Sequence, residues 1–507
     1  MPNEESKPVD KASEEADASK ALEELNLSPD QIANLLAANP ALRGSLPAST
    51  GGDQDALKEA LKKLSPADLI TGMGKGKNAK DMASYKFWST QPVTRFDEAS
   101  LKGQTKGASK DAIVEGQIKP IDKDRVPKDP APLIDGFEWC EMDLQNAEEL
   151  EEVRSLLSGH YVEDDEALFR FNYSQQMLRW AMMAPGWKKT WHVGVRTTSS
   201  KKLVAYISAI PLTLYVKDRS FLASEVNFLC VHKKLRAKRL APVLITEITR
   251  RSYVNGIYQG IYTGGILLPT PVASCRYFHR ALDWEKLYTV GFSPMPRNST
   301  KQRQIAKFKL PERTSTPGLR LMEEKDVAGV ADLLRRYLRK MQMSQHFNDE
   351  EAKHWLLDKE SDPKSKDRVV WTYVAEKDGK IVDVISYYAL ESSVLNQTAG
   401  NSVIRAAYLF YYATESAFQD DEKVLSDRLN GLVRDALISA KQSNFDVFNA
   451  LTLLDNPLFL QKQLFGPGDS QLHYYLFNYR VAPVNSGVDD KNQIDEKKRR
   501  GVGVVML

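Results

Sequence analysis

Glu225-Val-Asn-Phe-Leu-Cys-Val-His-Lys-Lys-Leu-Arg-Ala-Lys-Arg-Leu-Ala-Pro242 reads as a buried strand, a basic turn and the start of a helix. Ser224–Val231 mixes β-branched and aromatic residues and carries no charge after Glu225. Lys233, Lys234, Arg236, Lys238 and Arg239 follow within a few positions. Leu240, Val243, Leu244, Ile245 and Ile248 then recur at helical spacing. A helix N-terminus carries about half a positive charge and free N–H groups. Five cations beside it make a site for a polyanion such as a nucleotide-linked pyrophosphate.

Working outward, the same order of elements occurs twice. Lys202-Leu-Val-Ala-Tyr-Ile-Ser208 and Lys380-Ile-Val-Asp-Val-Ile-Ser386 are near copies, offset by 178 residues (380 − 202). Each follows an aromatic-rich strand, Trp191–Val195 or Val370–Ala375, across a polar turn, as in a hairpin. Amphipathic helices precede them at Glu149–Leu157 and Val327–Leu334. The Glu225 strand and its helix have a counterpart in Ala406–Ala413 followed by Leu425–Lys441. A further strand closes each copy, Gly260–Leu267 and Asp446–Leu453. Duplication is the expected account. The fold class is therefore α/β (α+β), with mixed sheets flanked by helices. Parallel strands joined by a helix splay into a crevice where ligands bind.

Composition excludes several classes. The 507 residues suffice for two or three domains. Net charge is only +3, too small for a general nucleic-acid binder. No apolar run reaches eighteen residues, so no membrane span is expected. Three cysteines without motif spacing (Cys140, Cys230, Cys275) fit a reduced, cytoplasmic setting. The N-terminus does not read as a signal peptide. The histidines show no metal-ligand spacing, so no metal is expected. Residues 1–84 contain no Phe, Trp or Tyr and read as a disordered polar arm. Short helices fit at Ala21–Leu36 and Asp55–Lys63, and Gly72–Lys77 reads as a basic linker without Walker spacing. Domains are expected at 85–300 and 301–507.

The repeated unit resembles the GNAT-type acyltransferases, whose strand, Arg/Gln-x-x-Gly-x-Gly/Ala turn and helix hold the coenzyme A pyrophosphate. The turn here is Arg236-Ala-Lys-Arg239-Leu-Ala241, and the first glycine of that pattern is missing. The resemblance becomes specific at Glu225–Lys233, which is similar to the signature of protein N-myristoyltransferases, with fungal-like character. It extends through Tyr277-Phe-His-Arg-Ala-Leu282 and Phe445-Asp-Val-Phe-Asn-Ala450. Leu464-Phe-Gly-Pro-Gly-Asp-Ser470 resembles the family's Lys-Phe-Gly-x-Gly-Asp-Gly, departing at both ends.

That resemblance implies two fused GNAT-like halves, the first binding acyl-coenzyme A and the second building most of the peptide groove. It implies transfer of myristate from myristoyl-CoA, a substrate rather than a resident cofactor, to an N-terminal glycine amine. Tyr85, Lys86, Phe87 and Trp88 would cover the coenzyme. Its remaining contacts would run through Phe228, Leu229, Cys230 and Val231 to Arg236, Ala237, Lys238, Arg239, Leu240, Ala241 and Pro242. The main-chain N–H groups of Phe228 and Leu229 would meet the thioester oxygen. Asn227 and Thr263 would position the amine. Tyr161 and the acidic run Glu163, Asp164, Asp165 and Glu166 would line the groove mouth. The base implied is the carboxylate of Leu507. The apolar ending Gly501-Val-Gly-Val-Val-Met-Leu507, after Lys497–Arg500, independently reads as a buried final strand. Ordinary strand core, a solvated basic face and a charged surface loop remain the plain alternatives for these residues.

Cys230 and His232 lie two apart on a strand and do not read as a nucleophile–base couple, so no acyl-enzyme is expected. Phe169, Phe171, Tyr173 and Trp180 are candidates for acyl-pocket walls, with ordinary core equally open. A monomer is expected. Lys75, Lys77 and Lys80 are a candidate ribosome contact. Two rivals stand: an N-terminal acetyltransferase of the same fold, and a non-catalytic acyl-coenzyme A carrier.

Overall fold

The structure is a computed structural model that describes residues 82–96, 98, 114–162, 168–395 and 402–507. The readings at Ala21–Leu36, Asp55–Lys63 and Gly72–Lys77, the Lys75, Lys77 and Lys80 cluster, and Glu163, Asp164, Asp165 and Glu166 lie outside the described residues. Tyr85–Gly265 and Pro269–Leu507 form one compact unit.

In the first half, strand β1 (Phe137–Glu141) leads to helix α1 (Ala147–His160). Asn146 caps α1, accepting from the N–H groups of Glu148 and Glu149. Strands β2 (His192–Thr197), β3 (Leu203–Val216) and β4 (Arg219–Val231) follow as an antiparallel meander. Helix α2 (Leu240–Val254) then crosses to β5 (Gln259–Gly264), which runs parallel to β4. β6 (Ala273–Ala281) completes this half. Leu240, Leu244 and Ile248 bury one face of α2. Each such side chain contributes about 1.5–3 kcal/mol on burial.

The second half repeats the plan with α3 (Val327–Leu338), β7 (Val370–Lys377), β8 (Lys380–Val394), β9 (Val403–Thr414), α4 (Glu422–Gln442), β10 (Val447–Leu451) and β11 (Gly466–Phe477). Asp378 and Gly379 both have positive φ between β7 and β8, the requirement of a tight two-residue hairpin. β9 and β10 are parallel, as β4 and β5 are.

Among the described residues, fifteen strands join one sheet, and both halves contribute to it. β11 of the second half lies between β5 and β6 of the first, and β6 pairs in turn with β10. Two expectations need correction. The strand read at Gly260–Leu267 stops at Gly264, because Gly264-Gly265 breaks the run that Ile266–Leu268 extends in composition alone. The strand at the C-terminal end is only Val502–Gly503, paired parallel to Met343–Ser344. Gly501–Met506 is nevertheless buried, and Leu507 is half-buried against the main core.

Candidate active site

The site grows from the parting of β4 and β5. Their ladder ends at Glu225 opposite Ile261. Asn227 and Thr263 each stand two residues further on, so both keep the same face and flank the gap. Just beyond, β4 bulges. Tyr206 opposes Cys230 and Ser208 opposes Asn227, leaving Phe228 and Leu229 across from Ile207 alone. Phe228 takes φ +57°, unusual for an aromatic residue and costing about 1–3 kcal/mol. Its buried ring offsets this by packing at 5.9 Å from Tyr161 and 5.6 Å from Tyr173. A bulge releases main-chain donors from the ladder. Burial, then nearby Cys230, pushes the Tyr161 hydroxyl upward, and the Phe228 main chain opposes them.

Glu225 is a site residue that the pattern of the strand did not single out. Its carboxyl is 4% exposed and accepts from Asn227 Nδ2 at 2.7 Å. Burial pushes its pKa up to about 7, and the Asn227 bond pulls the other way. The available signal was the lone carboxylate of β4, with no charge between it and Val231. Its folded pKa lies above the ordinary 4.5, so the native state holds the proton more tightly. The resulting stability is full below pH 4.5 and is lost as pH rises through about 7. Across that window the melting temperature of the wild type should fall relative to Glu225→Gln, read by parallel thermal melts.

The C-terminal segment reaches the same region. Val505 N–H donates to Tyr411 Oη at 2.9 Å, and Tyr474 Oη donates to the Val504 carbonyl at 3.0 Å. Burial raises the pKa of the Tyr411 hydroxyl, the Val505 N–H lowers it, and nearby Glu225 raises it. Tyr474 is the cross-strand partner of Thr263. Thus Asn227 with Glu225 and Thr263 with Tyr474 each connect to the tail through a tyrosine. A small pocket lined by Tyr277, Tyr388, Tyr408, Asn449, Val505 and Met506 opens beside it.

The basic turn is built as read. Lys233–Lys238 forms a 3₁₀ turn, and Arg236 Nη2 donates to the His160 carbonyl at 2.8 Å. Arg239 adopts φ +57° and starts α2 without a side-chain cap, so the first N–H groups of the helix lack a side-chain acceptor. Ala237, Lys238 and Arg239 are exposed, Leu240 is buried, and Ala241 and Pro242 are half-buried in the first turn. Leu229 and Val231 pack on the opposite face, in the cluster that receives α2.

Tyr85, Lys86, Phe87 and Trp88 form a turn beside β5. Trp88 stacks on Tyr262 at 5.4 Å, and Tyr262 stacks on Tyr475 at 5.0 Å. This ties the segment to the residue next to Thr263. In the second motif, Arg276 Nε donates to the Gly468 carbonyl at 2.9 Å. A Cβ on Gly468 would sit 2.5 Å from His279 Nε2, so only glycine fits there. His279 Nδ1 in turn bonds Asn449 Oδ1 at 2.7 Å.

Cys230 is buried, with its thiol pushed up to about 12 by burial, and its sulfur lies 3.8 Å from the Leu156 carbonyl. His232 packs instead on His160, ring centroids 3.9 Å apart. The two do not form a nucleophile–base couple. Of the acyl-wall candidates, Tyr173 meets the bulge. Phe169 packs on Phe292, Phe171 on Tyr173 and Tyr408, and Trp180 among Trp355, Tyr388 and Phe410. Among the described residues no cluster of three or more His, Cys, Asp or Glu could hold a metal ion. No helix of the described residues is long and apolar enough to cross a membrane.

A freed donor, a polar pair across a splay and a cationic helix start suit attack on an acyl group held by a phosphate-bearing carrier; the chain is an acyltransferase. Residues 117–275 match the N-terminal domain of myristoyl-CoA:protein N-myristoyltransferase, and residues 289–505 match its C-terminal domain. A glycylpeptide N-tetradecanoyltransferase of Aspergillus fumigatus is 56% identical over 95% of both chains. That of Saccharomyces cerevisiae is 46% identical over 89% of this chain and 98% of its own. A crystal structure of the Saccharomyces cerevisiae N-myristoyltransferase with bound myristoyl-CoA superposes with a TM-score of 0.78, covering 83% of this chain and 99% of that one, at 46% identity. The chain belongs to the myristoyl-CoA:protein N-myristoyltransferase family.

Proposed function

We propose that this chain transfers myristate from myristoyl-CoA to the N-terminal glycine amine of acceptor proteins by direct attack, with the Leu507 carboxylate as base. The observation that carries the reading is the buried tail, whose Val504 and Val505 are held by Tyr474 and Tyr411 next to Thr263 and Glu225–Asn227. An α-amine has a pKa of about 7.7–8.0 and is mostly protonated near neutrality. A carboxylate within hydrogen-bond reach takes that proton and frees the nitrogen lone pair, which then adds to the thioester carbon. Negative charge then develops on the thioester oxygen, where the Phe228 and Leu229 N–H groups would stabilise it; one such donor is worth roughly 2.7–4 kcal/mol of barrier. Collapse breaks the carbon–sulfur bond, and the departing coenzyme thiolate takes up the remaining excess proton of the nitrogen, leaving the amide. Asn227 and Thr263 orient the amine, and Arg236, Lys238 and Arg239 hold the carrier's phosphates at the start of α2. Cys230 takes no acyl group.

The second half builds most of the peptide groove in this reading. The protein works as a cytoplasmic monomer in this reading, and a ribosome contact through the N-terminal lysines belongs to it as a separate, testable element. Incubating one Gly-starting peptide with acetyl- or myristoyl-CoA and weighing the product by mass spectrometry tests the chemistry. A myristoylated product from the long donor alone is expected. Equal or better acetyl transfer favours the rival acetyltransferase, and binding without product favours a carrier.

The basic turn gives a second outcome. Replacing Lys238 and Arg239 together by Ala should raise KM for myristoyl-CoA about tenfold or more, since charge-assisted contacts contribute about 1.5–3 kcal/mol each. The difference should shrink as salt rises. Steady-state kinetics across a salt series reads both effects.

A further inference from the structure

Each copy of the repeat carries a bulge, the second shifted by one residue: the first lies across from Ile207, the second across from Ser386. In β8–β9, Ile385 opposes Tyr412 and Tyr387 opposes Leu409, so Phe410 and Tyr411 face Ser386 alone. Ser386 follows Ser208 by the same 178 residues (386 − 208) that separate the repeated heptads, and each serine closes its heptad. The bonding differs between the copies. Ser208 Oγ donates to the Asn227 carbonyl at 3.1 Å. Ser386 Oγ donates to the Tyr411 carbonyl at 2.7 Å and also accepts the Tyr411 N–H at 3.0 Å. The second bulge has therefore spent a main-chain donor internally.

The crevice beside it also differs in content. β9 and β10 part beyond Tyr408 opposite Asn449, as β4 and β5 part in the first half. Leu409, Ala450, Val505 and Met506 line the space that opens there. The bulge side chain does the holding. Tyr411 Oη accepts from the Val505 N–H at 2.9 Å and donates to Gln345 Oε1 at 3.3 Å. Gln345 ends the short strand whose first two residues pair with Val502 and Gly503. Phe347 and Phe410 wedge the Tyr411 ring edge-on at 4.9 and 4.6 Å.

We propose that the second crevice, the repeat's counterpart of the coenzyme crevice, binds the chain's own C-terminal segment, and that Tyr411 is a positioning residue setting the Leu507 carboxylate at the acceptor amine. This rests on the carboxylate reading given above. Tyr411 holds the segment two residues before Leu507, so losing its hydroxyl loosens the base without touching the coenzyme turn.

Single-turnover transfer from myristoyl-CoA to a Gly-starting peptide is measured for the wild type, Tyr411→Phe, a chain lacking Leu507, and the two changes combined. Tyr411→Phe is expected to slow transfer about tenfold to a hundredfold, the scale of a small misplacement of a reacting group. It should leave myristoyl-CoA affinity unchanged and slow the Leu507-deleted chain no further. Ser386→Ala, which frees the bulge main chain, should give a smaller loss of the same kind. Equal slowing by Tyr411→Phe in both backgrounds means a general structural role and overturns the proposal. Wild-type rates in both Tyr411→Phe and Ser386→Ala overturn it as well. Full transfer after loss of Leu507 instead overturns the carboxylate reading, and this inference falls with it.

Discussion

Adding a single residue after Leu507 is expected to lower kcat by about two to four orders of magnitude, the range supplied by a positioned proton acceptor. Myristoyl-CoA affinity should stay as it is, because the cationic turn and the start of α2, proposed above to hold the coenzyme, lie on a different element. The reason is steric as well as chemical. Gly501–Met506 is buried, and Met341 crowds Gly503 so closely that a Cβ there would meet its side chain at 2.7 Å. A longer chain therefore cannot slide back to restore the register; it displaces the charge instead. Stopped-flow transfer and equilibrium binding of the acyl donor, run on one preparation, separate the two quantities. Unchanged kcat in the extended chain would remove the proposed base.

The largest stability effect is expected from Asp455→Ala. Asp455 is fully buried and accepts from Arg499 Nε and Arg500 Nε, each at 2.9 Å, and from Tyr337 Oη at 2.7 Å. Its own N–H donates to Tyr412 Oη at 3.0 Å. The Arg499 and Arg500 side chains are only 12% and 28% exposed. Removing the carboxylate leaves two poorly hydrated guanidinium groups, which costs about 3–5 kcal/mol. Urea unfolding should show that loss. Asp455→Asn, which retains an acceptor oxygen, should lose less. Because Arg499 and Arg500 immediately precede the buried tail, transfer should fall further than the population of unfolded chain explains.

Much of the fold was legible because its signals are local. The strand, basic turn and helix of Glu225–Arg251 follow from alternation, charge and helical spacing. The repeat was visible because Lys202–Ser208 and Lys380–Ser386 kept four identical residues and a Leu/Ile exchange at matching hairpin positions. What escaped depends on backbone dihedrals and on distant partners. A left-handed Phe228 has no compositional mark; glycine would have given one. Glu225 titrates near neutrality only because the folded chain encloses it. Tyr411 and Tyr474 look like ordinary strand aromatics until the C-terminal segment arrives some thirty or more residues later in the chain to bond them. The overlong strand at Gly260–Leu267 shows the opposite error, apolar composition outweighing two consecutive glycines.

The placement of β11 has a consequence for biosynthesis. Until residue 477 has been made, β5 and β6 of the first half lack the partner that belongs between them, and both present open hydrogen-bonding edges. The interval from Ala281 to Phe477 is 196 residues (477 − 281), or roughly 10–40 s of translation. Throughout that time the nascent first half is an unfinished β-surface, so a cell making this enzyme must shield it from neighbouring polysomes, and fragments ending before β11 should aggregate rather than fold.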